Sequence, residues 1–165
     1  MRTIRAIHVS PEVMADFGRA IRVTPDVCPD AESEIQTYYG QLAIMESSDA
    51  VQIGICVAKR RPFVVSELEY HGQTAELLFA ARGDFVVPVT GSVEVDGVKR
   101  PDLEGLTAVR VNQGEGIFFD KEVWHWTPYP LASTSDVLVV FKKETPALDF
   151  ISFKFDEHVE MTVVD

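Results

Sequence analysis

Carboxylate and imidazole side chains stand close together in the middle of the sequence, at Glu69, His71 and Glu76. Alternate residues of an extended strand point to the same side, so Glu69 and His71 would face one interior together. A tight reversal near Gly72 and Gln73 would bring Glu76 back on the next strand. Such groups, when they meet inside a β-structure, can bind a divalent metal or transfer protons. The spacing therefore predicts a site of metal binding or acid–base chemistry.

A second segment, residues 114–126, carries one histidine between two tryptophans. Its pattern predicts a strand that follows Gly114, an acidic turn, and a second strand that presents His125 between Trp124 and Trp126. Apolar neighbours favour the neutral imidazole, which is the form that binds metals. We therefore expect His125 to be a further ligand or acid–base group.

The elements that must position these residues are mostly β-strands. Ser10, Pro11 and Gly18 predict one short leading helix, with Ser10 as its N-cap and Gly18 at its end. Short apolar runs, punctuated by Gly, Pro, Asn and Asp, predict about ten strands. These strands are 51–57, 63–68, 75–81, 85–89, 92–95, 106–111, 116–119, 123–126, 136–141 and 151–155. The pattern is typical of a β-sandwich or closed barrel, in a single all-β domain over residues 1–165.

The run from Val51 to Val57 shows the clearest alternation. Its aliphatic residues, which include Ile53 and Ile55, alternate with Gln52, Gly54 and Cys56. This period of two predicts a strand that buries its aliphatic side.

Composition limits the classes of partner. The chain has 165 residues and a net charge of −11. Such an acidic surface repels phosphate backbones and anionic lipids, so neither nucleic acid nor membrane is an expected partner. A small anionic metabolite is compatible with this charge if a local basic group receives it.

Cysteine usage and hydropathy predict a cytoplasmic protein. Cys28 and Cys56 have no metal-clip spacing and are expected to be reduced thiols. No apolar run has the length of a signal peptide core or of the ~20 residues that span a bilayer.

The two motifs resemble those of the cupins, which are double-sheet jelly rolls. The first cupin motif has His-x-His, a glutamate five residues later and a glycine seven further on. His71, Glu76 and Gly83 match it, and Glu69 stands in place of the first histidine. His125 matches the single histidine of the second motif. The resemblance implies a jelly-roll barrel, or double-stranded β-helix, with a divalent metal (Mn, Ni, Zn or Fe) bound by Glu69, His71, Glu76 and His125.

A more extensive resemblance, to the ureidoglycolate lyase family of cupins, covers most of the chain. The blocks that carry it are Phe17-Gly18, Tyr39, Leu42-Ala43, Glu67-Leu68-Glu69-Tyr70-His71, Arg82-Gly83, Pro101-Asp102-Leu103, Leu106, Ala108, Asn112, Gly116 and Val123-Trp124-His125. The resemblance implies cleavage of ureidoglycolate to glyoxylate and urea, a step of allantoin degradation in purine metabolism. It also implies a homodimer.

Several polar positions depart from that family's pattern. Tyr70 stands where arginine is common, Glu76 where glutamine is common, and Asp120 where histidine is common. Trp126 replaces the residue that usually follows the histidine. These changes affect groups that would contact the substrate, and Glu76 is a better cation ligand than glutamine.

The implied reaction needs a base for the substrate hydroxyl, an acid for the leaving nitrogen, and a positive group for the carboxylate. We assign the catalytic roles to Glu69, His71 and His125, with Glu69 either a fourth ligand or the base. Arg82 shares strand parity with Glu76, so we expect it to face the same cavity and bind the carboxylate.

Other groups complete this interpretation. Trp124 and Trp126 are the predicted walls of the substrate site, whereas Tyr70 has the opposite strand parity to His71 and is left out.

Simpler alternatives remain open for each residue. Glu69 and His71 could form an exposed ion pair, His125 could be a hydrogen-bonded core histidine, and Arg82 could be a solvated surface residue. The same fold could also serve a metal-dependent isomerase, epimerase or dioxygenase, or a non-catalytic small-molecule binding protein.

Overall fold

The computed structural model describes residues 2–163 and is almost entirely β-structure. Its strands are β1 Arg2–His8, β2 Gly18–Ile21, β3 Ala31–Glu32, β4 Thr37–Tyr38, β5 Val51–Lys59, β6 Val64–Tyr70, β7 Glu76–Arg82, β8 Phe85–Thr90, β9 Ser92–Val95, β10 Val98–Pro101, β11 Thr107–Val111, β12 Gly116–Phe119, β13 Trp124–His125, β14 Tyr129–Pro130, β15 Thr134–Lys142 and β16 Ile151–Thr162. Its two helices are α1 Pro11–Met14 and α2 Thr145–Leu148. The prediction of an all-β jelly-roll barrel with a short N-terminal helix is confirmed.

Six strands close into a barrel, in the order β6, β13, β8, β11, β1 and β16, with β16 pairing back to β6. Strand β14 continues alongside β8. A second sheet of five strands, in the order β2, β12, β7, β15 and β5, covers one side of this barrel. Two small hairpins, β3–β4 and β9–β10, complete the fold.

Strand β8 of the closed sheet is buried on both of its faces. One apolar core, which includes Phe85, Val87 and Ile117, lies between the barrel and the five-stranded sheet. A second core, which includes Val86 and Trp124, lies on the other face of the barrel strands. Consecutive residues of β8 therefore alternate between two cores, and all six residues are buried.

The N-terminal helix is shorter than predicted. Its N-cap is Ser10, whose hydroxyl accepts from the Val13 N–H, but the helix ends at Met14. Gly18 begins β2 instead of ending the helix, so that part of the prediction is wrong. Its φ of +134° suits glycine, and a Cβ there would collide with the Phe118 carbonyl oxygen across the β2–β12 pair.

Seven of the elements within residues 2–163 lie beyond the predicted set, namely the strands β1, β2, β3, β4, β10 and β14 and the helix α2. Strand β1 pairs in parallel with both β11 and β16. It was not predicted, because it stands alone before the helix in the sequence. Strand β16 runs to Thr162, well past the predicted end at residue 155, and the short helix α2 precedes it.

Within residues 2–163, no helix is long and apolar enough to cross a membrane. The single-domain assignment for residues 1–165 stays a prediction, since residues 1, 164 and 165 lie outside the described part.

The predicted burial of strand β5 is wrong in its direction. Ile53 and Ile55 are 71% and 56% exposed, and the other aliphatic residues of the run are exposed with them. Cys56, on the opposite face, points between the sheets and lines a cavity. The inner side of β5 carries the small residues Cys56 and Ala58, of which Cys56 packs against the first core and Ala58 is buried, and the larger aliphatic row lies on the outside.

Candidate functional site

Two barrel strands bring Glu69 and His125 together. In the β6–β13 pair these residues are directly opposite each other, so their side chains leave the sheet on the same face. That face points toward the five-stranded sheet. Sequence neighbours Trp124 and Tyr70 leave on the other face, where their rings pack 4.6 Å apart between centroids.

The other two residues come from the connection between the sheets. His71 follows the last residue of β6, and the chain then reverses at Gly72 and Gln73 before Glu76 opens β7. The predicted reversal is present, but it leads to the facing sheet and does not form a hairpin. Glu76 consequently approaches the histidines from across the interior.

The four side chains form one buried cluster. Ligand atoms of Glu69, His71 and His125 all lie within 4.8 Å of one another. Glu76 Oε2 lies 2.8 Å from His125 Nε2 and 3.4 Å from His71 Nε2. The His71, Glu76 and His125 side chains are buried, whereas Glu69 is half-buried. The structure thus brings together the four residues that the two motifs indicated.

Backbone carbonyls fix the orientation of both imidazoles. His71 Nδ1 lies 2.6 Å from the Asp149 carbonyl oxygen, and His125 Nδ1 lies 2.9 Å from that of Val123. A carbonyl can only accept, so each Nδ1 carries a hydrogen and each Nε2 faces the cluster. Metal-ligating histidines are commonly held in this way. The ring of Phe119 stacks on His125 at 4.6 Å between centroids, which further restricts that ring.

The cluster strongly perturbs its own titration. Burial alone would raise the pKa of Glu76, but the opposing charges of His125 and His71 outweigh it and lower the pKa to about 2. Burial alone would lower the pKa of His71, whereas its close contact with Glu76 raises the pKa to about 9. Burial raises the pKa of Glu69, against the opposing charges of the two histidines. These contacts therefore favour the ionised form of Glu76 and the protonated form of His71, whereas burial favours the neutral form of Glu69.

The donor set fits a divalent metal. Glu76 Oε2 and His125 Nε2 are fully buried, yet neither makes a hydrogen bond of acceptable geometry. Leaving such atoms unsatisfied is costly, and a cation bound between them would satisfy both. Two carboxylates and two imidazoles are ligands that Mn, Fe, Ni and Zn accept.

A small cavity of about 150 Å³ opens onto the cluster. Its lining comprises Cys56, Glu69, Glu76, Leu78, His125, Trp126, Thr127, Pro128 and Val139. Trp126 thus lines the cavity as predicted. Cys56 was missed, because parity places it opposite Ile53 and Ile55 but does not say which side of β5 faces inward.

Two predicted substrate-binding residues lie elsewhere. Trp124 is buried in the second core and donates from its Nε1 to Ser92 Oγ at 3.0 Å. The Arg82 side chain is 71% exposed and its Nε lies 2.8 Å from Asp136 Oδ2. The expectation that Arg82 faces the cavity with Glu76 is wrong, because the pairing register of β7 with β15 shifts between Asp136 and Val137. This irregularity breaks the alternation beyond Ala80.

An arginine outside the predicted set supports the cavity wall. The Arg61 guanidinium donates to the carbonyl oxygens of Thr127 and Pro128 at 2.6 and 2.9 Å. It also lies 3.6 Å from the centroid of the Tyr129 ring. Arg61 therefore holds the segment that follows His125. No motif in the sequence indicated it, because the contact joins residues more than sixty positions apart.

Comparison with known proteins identifies one curated relative and several solved structures that this chain resembles. Ureidoglycolate lyase of Escherichia coli (strain K12) is 23% identical over 141 residues, which cover 83% of this chain and 86% of that protein. Among solved structures, a formate complex of Lactobacillus farciminis oxalate decarboxylase has 16% identity and a TM-score of 0.45, over 78% of this chain and 34% of that chain. A mutant of Bacillus subtilis oxalate decarboxylase has 15% identity and a TM-score of 0.42, over 66% and 24%.

The family-level match is the most extensive of these findings. The sequence profile described as ureidoglycolate lyase matches residues 1–162, which includes both motifs and every member of the buried cluster. The jelly-roll barrel and the His/Glu cluster are what the resemblance in the sequence implied. The chain therefore belongs to the ureidoglycolate lyase family.

Proposed function

We propose that this protein is a lyase that cleaves ureidoglycolate to glyoxylate and urea in the cavity between the barrel and the five-stranded sheet. The observation that carries the proposal is the buried convergence of Glu69, His71, Glu76 and His125 in a chain of this family. A cavity of about 150 Å³ suits a small metabolite and is smaller than the usual pockets for drug-sized ligands.

Glu69 is the proposed proton carrier. It is half-buried, whereas the other three are buried, so it is the member of the cluster that a substrate in the cavity meets first. Burial raises its pKa, which suits a carboxyl group that takes and returns a proton. In the reaction the substrate hydroxyl loses a proton as its oxygen becomes a carbonyl, the carbon–nitrogen bond breaks, and the urea nitrogen gains a proton. One carboxylate can serve both transfers.

The buried histidines and Glu76 form the proposed metal site. A divalent metal held by His71, Glu76 and His125 would supply positive charge for the substrate carboxylate and lower the pKa of the substrate hydroxyl, which leaves Glu69 to transfer the proton. Trp126 and the 127–128 segment, held by Arg61, form the wall that orients the substrate and excludes water. Which metal is native stays part of the proposal.

Glyoxylate release from ureidoglycolate tests the function directly. We expect turnover by the wild-type protein supplied with Mn²⁺, Ni²⁺ or Zn²⁺, and a loss of about 10²–10⁴-fold in Glu69→Gln, the usual contribution of a general base. Glu67→Gln is the matched control, because Glu67 lies on the same strand but outside the cavity lining. Metal binding with no glyoxylate would instead favour an isomerase, epimerase or dioxygenase, and ligand binding without metal would favour a non-catalytic role.

We further propose that the protein is a cytoplasmic homodimer that acts on a small anionic metabolite, without nucleic-acid or membrane partners. The support for a dimer is the exposed aliphatic row on β5, the edge strand of its sheet. Contiguous apolar surface and an unpaired strand edge are features that soluble proteins usually cover. A second copy of the chain would cover both.

A further inference from the structure

One buried acid holds the turn that carries His71. Asp149 follows helix α2, and its carboxylate accepts from the Gly72 N–H at 2.9 Å and from the Gln73 N–H at 2.7 Å. Its backbone carbonyl accepts from His71 Nδ1 at 2.6 Å. Three consecutive residues, 71 to 73, are thus bound to a single residue that lies 76 to 78 positions away.

Asp149 is itself firmly placed. Its N–H donates to the Thr145 carbonyl at 2.9 Å, and the buried Thr145 hydroxyl donates to the Lys142 carbonyl at 2.6 Å. The Lys142 N–H in turn donates to Thr74 Oγ1 at 3.0 Å, just beyond the same turn. The end of β15, helix α2 and the turn after β6 therefore form one hydrogen-bonded unit.

We propose that Asp149 is a positioning residue for the metal site: it holds the 71–73 turn so that His71 Nε2 faces Glu76 and His125. The inference rests on the metal part of the proposed function and not on the identity of the substrate. Both carboxylate oxygens are engaged by N–H donors, and the backbone carbonyl sets the Nδ1–H tautomer. A residue that merely filled the space would keep the backbone carbonyl but would offer no acceptor to the Gly72 and Gln73 N–H groups.

The chemistry of the carboxylate gives a graded test. Asparagine offers one acceptor oxygen, and its amide nitrogen would face an N–H donor, so Asp149→Asn keeps about half of the interaction. Asp149→Ala removes the side-chain contacts altogether. Asp156→Asn makes the same chemical change at an exposed position of β16 and is the matched control.

The experiment measures Mn²⁺ affinity by electron paramagnetic resonance on folded, metal-stripped protein, well below its unfolding temperature. We expect affinity to fall about 10- to 100-fold in Asp149→Ala, by less in Asp149→Asn, and not in Asp156→Asn. At saturating Mn²⁺, kcat of Asp149→Asn should return to near the wild-type value, as expected of a residue that acts through the ligand. Hydrogen exchange of the Gly72 and Gln73 amides should accelerate in Asp149→Ala and Asp149→Asn but not in Asp156→Asn.

Other outcomes separate this inference from the proposed reaction. Unchanged Mn²⁺ affinity in Asp149→Asn, with accelerated exchange at residues 72 and 73, would overturn the inference even if Asp149→Ala failed to fold. Wild-type protein that binds Mn²⁺ through an Asp149-dependent site but releases no glyoxylate would support the inference and contradict the substrate assignment. Absence of Mn²⁺ binding by the wild-type protein would overturn both.

Discussion

Strands β5 and β7 lie in the same five-stranded sheet, separated by β15, and their faces are used in opposite ways. The inner face of β7 begins with the buried carboxylate Glu76, in contact with two histidines. The outer face of β5 exposes Ile53 and Ile55 to solvent. At these positions the buried side of the sheet carries a carboxylate and the exposed side carries aliphatic residues. Each arrangement is unfavourable alone, and the proposed function gives each a partner: a cation inside and a second copy of the chain outside.

The largest expected effect comes from breaking the inner cluster with His125→Ala. Removal of this imidazole leaves Glu76 buried with one charge partner fewer, which costs about 3–5 kcal/mol when a buried pair is broken. Glyoxylate release should fall by about 10³-fold. The free energy of unfolding and the rate of glyoxylate release are both compared with those of His158→Ala, which removes an exposed histidine on β16. Activity within twofold of wild type in His125→Ala would remove this histidine from the catalytic site.

The outer face gives the next largest effect, on assembly rather than on chemistry. Ile53→Lys combined with Ile55→Lys should convert the proposed dimer to a monomer, because two charges from each chain would be buried in the apolar contact. The stability of the monomer should change by less than about 1 kcal/mol, since both positions are exposed within one chain. Light scattering after size-exclusion chromatography measures the molar mass in solution. Ile151→Lys is the control, because it introduces the same charge at an exposed isoleucine on the other sheet. A wild-type monomer would contradict the proposed role of this face.

A smaller effect is expected in the pH dependence of stability after the metal is removed with EDTA. The Glu76 contribution is complete above its unfolded-state pKa of 4.5 and is lost as pH falls toward about 2. The His71 contribution is complete below 6.5 and is lost as pH rises through about 9. The free energy of unfolding in urea should therefore be highest between about pH 4.5 and 6.5 and decline on both sides. Glu76→Gln should flatten the alkaline decline, and an equally steep decline in that variant would refute the coupling.

The smallest effect is expected at Arg82. Because its guanidinium is exposed and paired with Asp136, Arg82→Ala should leave kcat/KM within about twofold and cost no more than about 1 kcal/mol. Steady-state glyoxylate release measures kcat/KM, and urea unfolding measures the change in stability. A tenfold rise in KM would return Arg82 to the substrate site and contradict the observed direction of its side chain.

The difference between the two strands also shows what the sequence could predict. The spacing of Glu69, His71 and Glu76 located the cluster because strand parity and a short reversal are local properties. Arg82 was misplaced by the same parity rule, since the irregularity opposite it depends on strand β15. The aliphatic alternation of β5 identified a strand but not which side faces inward, because that depends on what the neighbouring strands enclose.

The residues that hold the site through long-range contacts could not be predicted from the sequence. Asp149 and Arg61 act through backbone groups more than sixty residues away, and no residue spacing encodes such contacts. Family resemblance indicated the overall architecture and the members of the buried cluster, because both are carried by short motifs. Asp149 and Arg61, by contrast, lie at a helix end and in a loop, and the positions of such segments depend on the complete fold.

The most direct test of the central claim is a Mn²⁺ titration of metal-stripped wild-type protein, with glyoxylate release from ureidoglycolate measured at each point alongside the bound Mn²⁺. If the cluster of Glu69, His71, Glu76 and His125 is the metal-dependent lyase site, the rate will start near zero and rise in proportion to the bound metal, saturating at one Mn²⁺ per chain. Full turnover in the stripped protein, or saturation with Mn²⁺ without any glyoxylate, would contradict it.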